Sequence, residues 1–348
     1  MASIAIAGAG LAGRLFAWAL TSAGHRVSIA EAAPGPLPSF DATGAAAFSA
    51  AGMLSPLAEQ EQGGAAVAAL GWRSLALWPR IVAALPLPVP LEQRDSLLLA
   101  HGSDLGAAQR ALNHMPGAEA LDGPTLRALE PALAAGLRGW RLPGEGLIAP
   151  VPAMAALMAG ATGAHWHWGR AVDQVLPHAL HLADGERWDS DWAIDARGLG
   201  ARPPLPLRGV RGEIVTLDLP GHGLTRPLRL LHPRHRVYLV PRSTNEVVVG
   251  ASEIESEDRS PVSLRSAVEL MAAAHSVLPA LSEARIVRLD RHLRPALPDN
   301  LPSATFEPGL LRLNGLYRHG WLLAPALVYR LLRDSGLAHL GDDMDSST

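Results

Sequence analysis

Apolar residues recur along this chain in two registers. From Ser3 to Ala7 they run without a break, as in a short buried strand. From Leu11 the spacing changes to Leu11, Leu15 and Ala19, one face of a helix that stops at Gly24. His25 to Ala30 returns to a strand pattern with Glu31 at its end, so the opening predicts a βαβ unit. Helical spacing further predicts a helix through Trp72 and Trp78, a short one from Pro124 capped by Asp122, and one from Pro152 to Ala161. Ser263 is placed to cap a helix carrying Leu264, Val268, Met271 and His275, and a last helix is expected from near Pro325 to Gly336.

Strand patterns fall at Leu97–Ala100, Trp192–Asp195, Arg211–Leu217, Ile286–Leu289 and Leu310–Leu313, with a hairpin pairing Val237–Val240 to Val247–Val249. His165–Trp168, Val172–Leu176 and Ala179–Leu182 read as a meander, and Gly144–Pro150 as a loop. This is an α/β (mixed α+β) pattern. The strand, glycine turn and helix units that could meet a nucleotide lie at opposite ends of the sequence, which implies one dinucleotide fold interrupted by a second domain.

Composition removes chemistries. The 348 residues include no Cys and no Lys, so all 30 basic residues are Arg, against 33 acids. No thiolate nucleophile, Cys-ligated metal, cysteinyl cofactor, Schiff-base lysine or phosphate-binding lysine is available. A formal charge of -3 supplies no broad positive field for nucleic acid. The Ala-rich stretch Ala65–Pro90 is interrupted by Arg73, Pro79 and Arg80, short of the roughly 20 apolar residues of a membrane span. The expectation is a cytoplasmic protein with no membrane partner.

Gly8-Ala9-Gly10-Leu11-Ala12-Gly13 carries the clearest chemistry. Gly8 permits a tight turn, Gly10 lets backbone approach a pyrophosphate, and Gly13 lets helix and strand pack closely; the helix N-terminus at Leu11 and Ala12 offers free N–H groups. Glu31 can accept from ribose hydroxyls. The fingerprint alone leaves FAD and NAD open.

With Ala50-Ala51-Gly52-Met53-Leu54, Leu207–Glu213, Tyr238–Arg242, Val249–Ser252, Leu293-Arg294-Pro295 and Leu316–Pro325, in that order, the chain resembles the FAD-dependent D-amino-acid oxidase superfamily, and within it the glycine oxidases of thiamine biosynthesis. The resemblance implies a Rossmann-like FAD-binding domain made of 1–82, 144–206 and 288–340. A substrate domain of 83–143 and 207–287 would be interleaved with it, and 341–348 would be a flexible tail. It implies that Arg294 pairs with a substrate carboxylate, helped by Tyr238 and Arg318. It further implies non-covalent FAD held by Gly8, Gly10, Leu11, Ala12, Gly13, Glu31, Ala51, Gly52, Met53, Val172, Gly198, Tyr317, His319, Gly320, Trp321 and Leu322, with no metal. The implied reaction is oxidation of glycine by oxygen, yielding glyoxylate, ammonia and hydrogen peroxide or passing the imine to a thiazole synthase, in a homo-oligomer.

Related D-amino-acid or sarcosine oxidases, a quinone-linked dehydrogenase, a tRNA-modifying oxidase and a non-catalytic flavoprotein are the alternatives. Arg291-His292 stands where many relatives have Ala-Gly, which leaves the pocket wall open. His165 and His167 alternate with Trp166 and Trp168 and read as strand residues rather than metal ligands. Glu253–Asp258 reads as a solvated acidic loop, and His232, Arg234, His235 and Arg236 as a small basic patch.

Overall fold

The computed structural model describes residues 1–231 and 236–338. The tail expected at 341–348, and His232, Arg234 and His235 of the basic patch, lie outside them.

Ser3–Ala7 is central in a six-stranded sheet. Arg26–Glu31 and Trp192–Asp195 flank it in parallel, followed on their outer sides by His165–Trp168 and Leu310–Asn314, also parallel. Ser303–Glu307 closes one edge antiparallel. Because side chains alternate across a strand, Ile4 and Ile6 meet one layer and Ala5 and Ala7 the other. The large pair packs into a helical layer from Leu11–Ser22, Pro56–Ala83, Pro150–Gly160 and, far away in sequence, the last helix Gly320–Asp334. The small pair lets Val172–Leu176, Ala179–Leu182 and Arg187–Asp189, a three-stranded meander, lie close on the opposite face. The meander therefore differs from the expectation: His165–Trp168 pairs with Arg26–Glu31 in the main sheet, and Arg187–Asp189 supplies the third strand.

The second sheet has eight strands and runs from Arg285–Ala296 through Arg208–Asp218, Glu246–Gly250, Arg236–Pro241, Leu228–Leu231, Ser96–Ala100 and Arg138–Leu142 to Glu119–Leu121. Leu264–Val277 covers it through Leu270, Ala274 and Val277. Ser263 accepts from Ser266 N and Asp122 from Thr125 N, so both expected caps form. The strand expected at Ile286–Leu289 continues to Ala296, and Arg294 lies within it opposite Val210. Pro295 is tolerated because this strand is the sheet's edge. Gly146–Ile148, inside the expected loop, is a strand between Met53–Leu54 and Leu91–Gln93.

The last helix begins at Gly320, about a turn and a half before the expected Pro325. Proline cannot donate to the carbonyl four residues back, which is that of Trp321. The Trp78 indole donates to that oxygen at 2.9 Å instead, so the helix runs through the proline with its freed carbonyl satisfied.

Candidate functional site

A cleft of about 620 Å³ lies where the C-terminal ends of the central parallel strands face the second sheet. Ligands in α/β folds gather at such strand ends.

At one end the wall is backbone. Gly8 has φ +100°, and a Cβ there would sit 2.5 Å from the Ala196 carbonyl oxygen. A Cβ on Gly13 would sit 1.9 Å from the Gly8 carbonyl oxygen, so this glycine sets how closely helix and strand approach; it lies behind the cleft wall. Gly10 has only the Ala45 methyl, at 3.9 Å, near that position, and it opens on the cleft with Leu11 and Ala12. As the N-cap it offers no side-chain bond, which leaves the first helical amides free for an anion. Glu31 is held by the amides of Ala9, at 2.5 Å to Oε2, and Ala33, at 2.8 Å to Oε1. The buried Ser49 hydroxyl lines the cleft without a partner. Amide donors, an oriented acid and a vacant hydroxyl fit the pyrophosphate and ribose of a dinucleotide.

Gly198 lines this end beside Arg197, whose guanidinium pairs with buried Asp195 at 2.8 Å. Arg197 Nη1 also donates to the Val172 carbonyl at 2.7 Å, and Val172 lies outside the wall. Farther along come Ala51, Gly52 and Met53, facing Gly320, Trp321 and Leu322 at the start of the last helix. That helix also lacks a side-chain cap, so its free amides and positive dipole end face the cleft. His319, its N-cap, points away to Glu59, 3.3 Å from Nδ1.

The other end is lined by side chains of the second sheet and of the loop before the last helix: Arg229, Tyr238, Arg294, Tyr317 and Arg318. Arg294 donates to the Ser252 carbonyl at 3.1 Å and forms no salt bridge with any described residue. Burial pushes its guanidinium down from the ordinary arginine value and pushes the neighbouring Tyr238 hydroxyl up. Arg318 is paired, 3.3 Å from both Glu59 and Glu253. Burial alone would raise the Glu59 carboxyl, but Arg318, His319 and Arg229 outweigh it and hold the group at about 2. The ionised Glu59 thus ties together the long helix, strand Leu228–Leu231 and the loop before the last helix.

His292 and Arg294 occupy the same strand face and both line the cleft. Arg291 turns away, its Nε donating to the Arg259 carbonyl at 3.0 Å, so only one of the two unusual bulky residues reaches the wall. The acidic run also divides. Glu255, Glu257 and Asp258 pair with Arg208, Arg202 and Arg211, whereas Glu253 lines the cleft; all four acids remain exposed, in keeping with the expected solvated loop. Sequence reading also missed Glu59, Arg229 and Gly212. A first-turn acid such as Glu59 looks like an ordinary helix-dipole partner, and nothing local marks Arg229, Arg318 and His319 as its neighbours.

Gly212 creates room for Arg294, since a Cβ there would lie 2.4 Å from the guanidinium carbon. Gly212→Ala should displace that side chain, with an expected loss of about tenfold in substrate affinity and flavin absorbance retained. Steady-state kinetics beside a visible spectrum check it. Among the described residues no group of three or more His, Asp or Glu is arranged to hold a metal, and no helix is long and apolar enough to cross a membrane.

The family model described as FAD dependent oxidoreductase matches residues 3–330. A Rhizobium etli protein assigned to thiamine biosynthesis as the oxidoreductase ThiO is 40% identical, over 96% of this chain and 97% of its own. A bifunctional ThiO/ThiG protein of Synechocystis is 29% identical, over 63% of this chain and 36% of its own. The solved glycine oxidase of Geobacillus kaustophilus superposes with a TM-score of 0.82 at 26% identity, covering 96% of this chain and 94% of that one.

Proposed function

The chain belongs to the FAD-dependent oxidoreductase family, and we propose that it is an oxidase of small amino acids with glycine as its substrate. The observation that carries this reading is Arg294, a guanidinium in the cleft that bonds a backbone carbonyl and forms no salt bridge with any described acid. A desolvated cation without a directly bonded acid favours an anionic ligand, and the planar fork matches a carboxylate. The Tyr238 hydroxyl adds a second donor to that carboxylate. Arg318, braced by Glu59, shapes the adjoining wall and orients the α-carbon.

FAD, when bound, accepts two electrons from the substrate and passes them to oxygen. In this reading Gly8, Gly10, Leu11, Ala12 and Glu31 hold its dinucleotide portion, and Gly13 keeps their helix in place. Ala51, Gly52, Met53, Gly198, Tyr317, Gly320, Trp321 and Leu322 line the remainder, with His319 setting the last helix's start. Val172 acts through the Arg197 contact. The free amides of that helix stabilise negative charge placed against them. The substrate loses two electrons and two protons to become an imine, which water converts to glyoxylate and ammonia.

The names of the two ThiO relatives support a place in thiamine biosynthesis. The two-part Synechocystis protein supports handing the imine to a second enzyme, a thiazole synthase. Purified protein should show flavin absorbance, and heat or acid should release FAD into a filtrate; no cysteinyl linkage can form, and flavin kept by the denatured chain would mean a histidyl or tyrosyl link. The deciding assay is peroxide production with glycine, D-alanine and sarcosine. Turnover of D-alanine without glycine would replace the substrate assignment, and reduction of an artificial acceptor without peroxide would make the enzyme a dehydrogenase.

A further inference from the structure

We propose that Glu253 binds the substrate's ammonium group and is the residue that makes the site select amino acids over plain carboxylic acids. The inference rests on the reading of Arg294 as the carboxylate anchor. Among the described residues two acids line the cleft, Glu31 and Glu253. Glu31 is at the dinucleotide end, with both oxygens engaged by backbone amides. Glu253 is at the other end, next in sequence to Ser252, whose carbonyl accepts from Arg294 Nη1 at 3.1 Å.

That connection places a carboxylate one residue from the guanidinium's own anchor, yet the two form no salt bridge. Glu253 Oε2 instead meets Arg318 Nη1 at 3.3 Å. An ionised carboxylate has about four acceptor positions, so this contact leaves capacity for an ammonium. An α-amino acid is a zwitterion whose opposite charges are separated by a single carbon. Arg294 alone would accept acetate as readily as glycine. An acid beside it reverses the sign of the field where the amine must sit, so a zwitterion gains a contact that acetate cannot make. Arg318 fixes the Glu253 side chain, and Glu59 in turn fixes Arg318.

The test compares wild-type holoenzyme with Glu253→Gln, using glycine kinetics and an absorbance titration of the bound flavin with acetate. The KM for glycine should rise about tenfold, as for loss of a charge-assisted hydrogen bond. Acetate should bind as tightly or more tightly, and Glu253→Asp should recover part of the glycine affinity. Equal losses for glycine and acetate would show that Glu253 merely positions Arg318, and an unchanged KM would also overturn the proposal. A wild-type holoenzyme that oxidises none of glycine, D-alanine or sarcosine would defeat the functional reading itself. A wild type active on glycine with an unaffected Gln variant would defeat only the role of Glu253.

Discussion

Replacing Arg294 with alanine is expected to lower kcat/KM for the amino-acid substrate by on the order of a thousandfold, with FAD still bound. Arg294 lines the cleft from the edge strand Arg285–Ala296, outside the helices and glycine turn of the dinucleotide end. Its loss therefore spares the cofactor and removes a desolvated cleft cation that forms no salt bridge with any described residue. Removing one partner of a desolvated charge pair costs roughly 3–5 kcal/mol, because the other charge stays buried without compensation. That range corresponds to a factor of about a hundred to several thousand. Arg294→Lys should recover only part, since an ammonium lacks the two-pronged geometry. Steady-state kinetics with a flavin spectrum on each variant are the measurement; unchanged kinetics would move the anchor to another cation, with Arg229 the first candidate.

A second large effect is expected at the opposite end. Gly8→Ala should release FAD and lower thermal stability together. Alanine at φ +100° is strained, and its Cβ would meet the Ala196 carbonyl at 2.5 Å and the Arg197 Cα at 3.0 Å, all backbone atoms. Neither can swing aside as a side chain could. The strain of about 1–2 kcal/mol and an overpacking cost of about 1–3 kcal/mol together suggest a loss near 3 kcal/mol. Thermal unfolding followed by flavin fluorescence reads both consequences, and a variant that kept its flavin at wild-type stability would contradict them.

The βαβ opening, the two capped helices and the Val237–Val249 hairpin were legible because their signals are local: a glycine turn, a capping side chain, a short polar loop. His165–Trp168 was recognisable as a strand, but its partner lies more than a hundred residues back, and alternation carries no information about which strand it joins. The last helix was placed too late because Pro325 looks like a first-turn residue. Only the Trp78 indole, remote in sequence, makes an interior proline acceptable. At the site, the cleft-lining glycines and Arg294 carried motif signals. Glu59 and Glu253 did not, since the role of an acid depends on which arginines fold against it.

The order of the cleft's parts along the chain has a consequence for biosynthesis. Gly8 to Glu31 emerge first, but the wall opposite is supplied by Leu313 to Leu322, and the helix Gly320–Asp334 completes the packing over Ser3–Ala7. A nascent chain lacking those residues has the glycine turn and nearly all of the sheet, but neither the opposite wall nor the last helix, with nothing to close on a flavin. Cofactor capture is therefore a late event that reports the arrival of the C-terminal helix. A chain cut before Gly320 should emerge colourless even though its nucleotide fingerprint is intact.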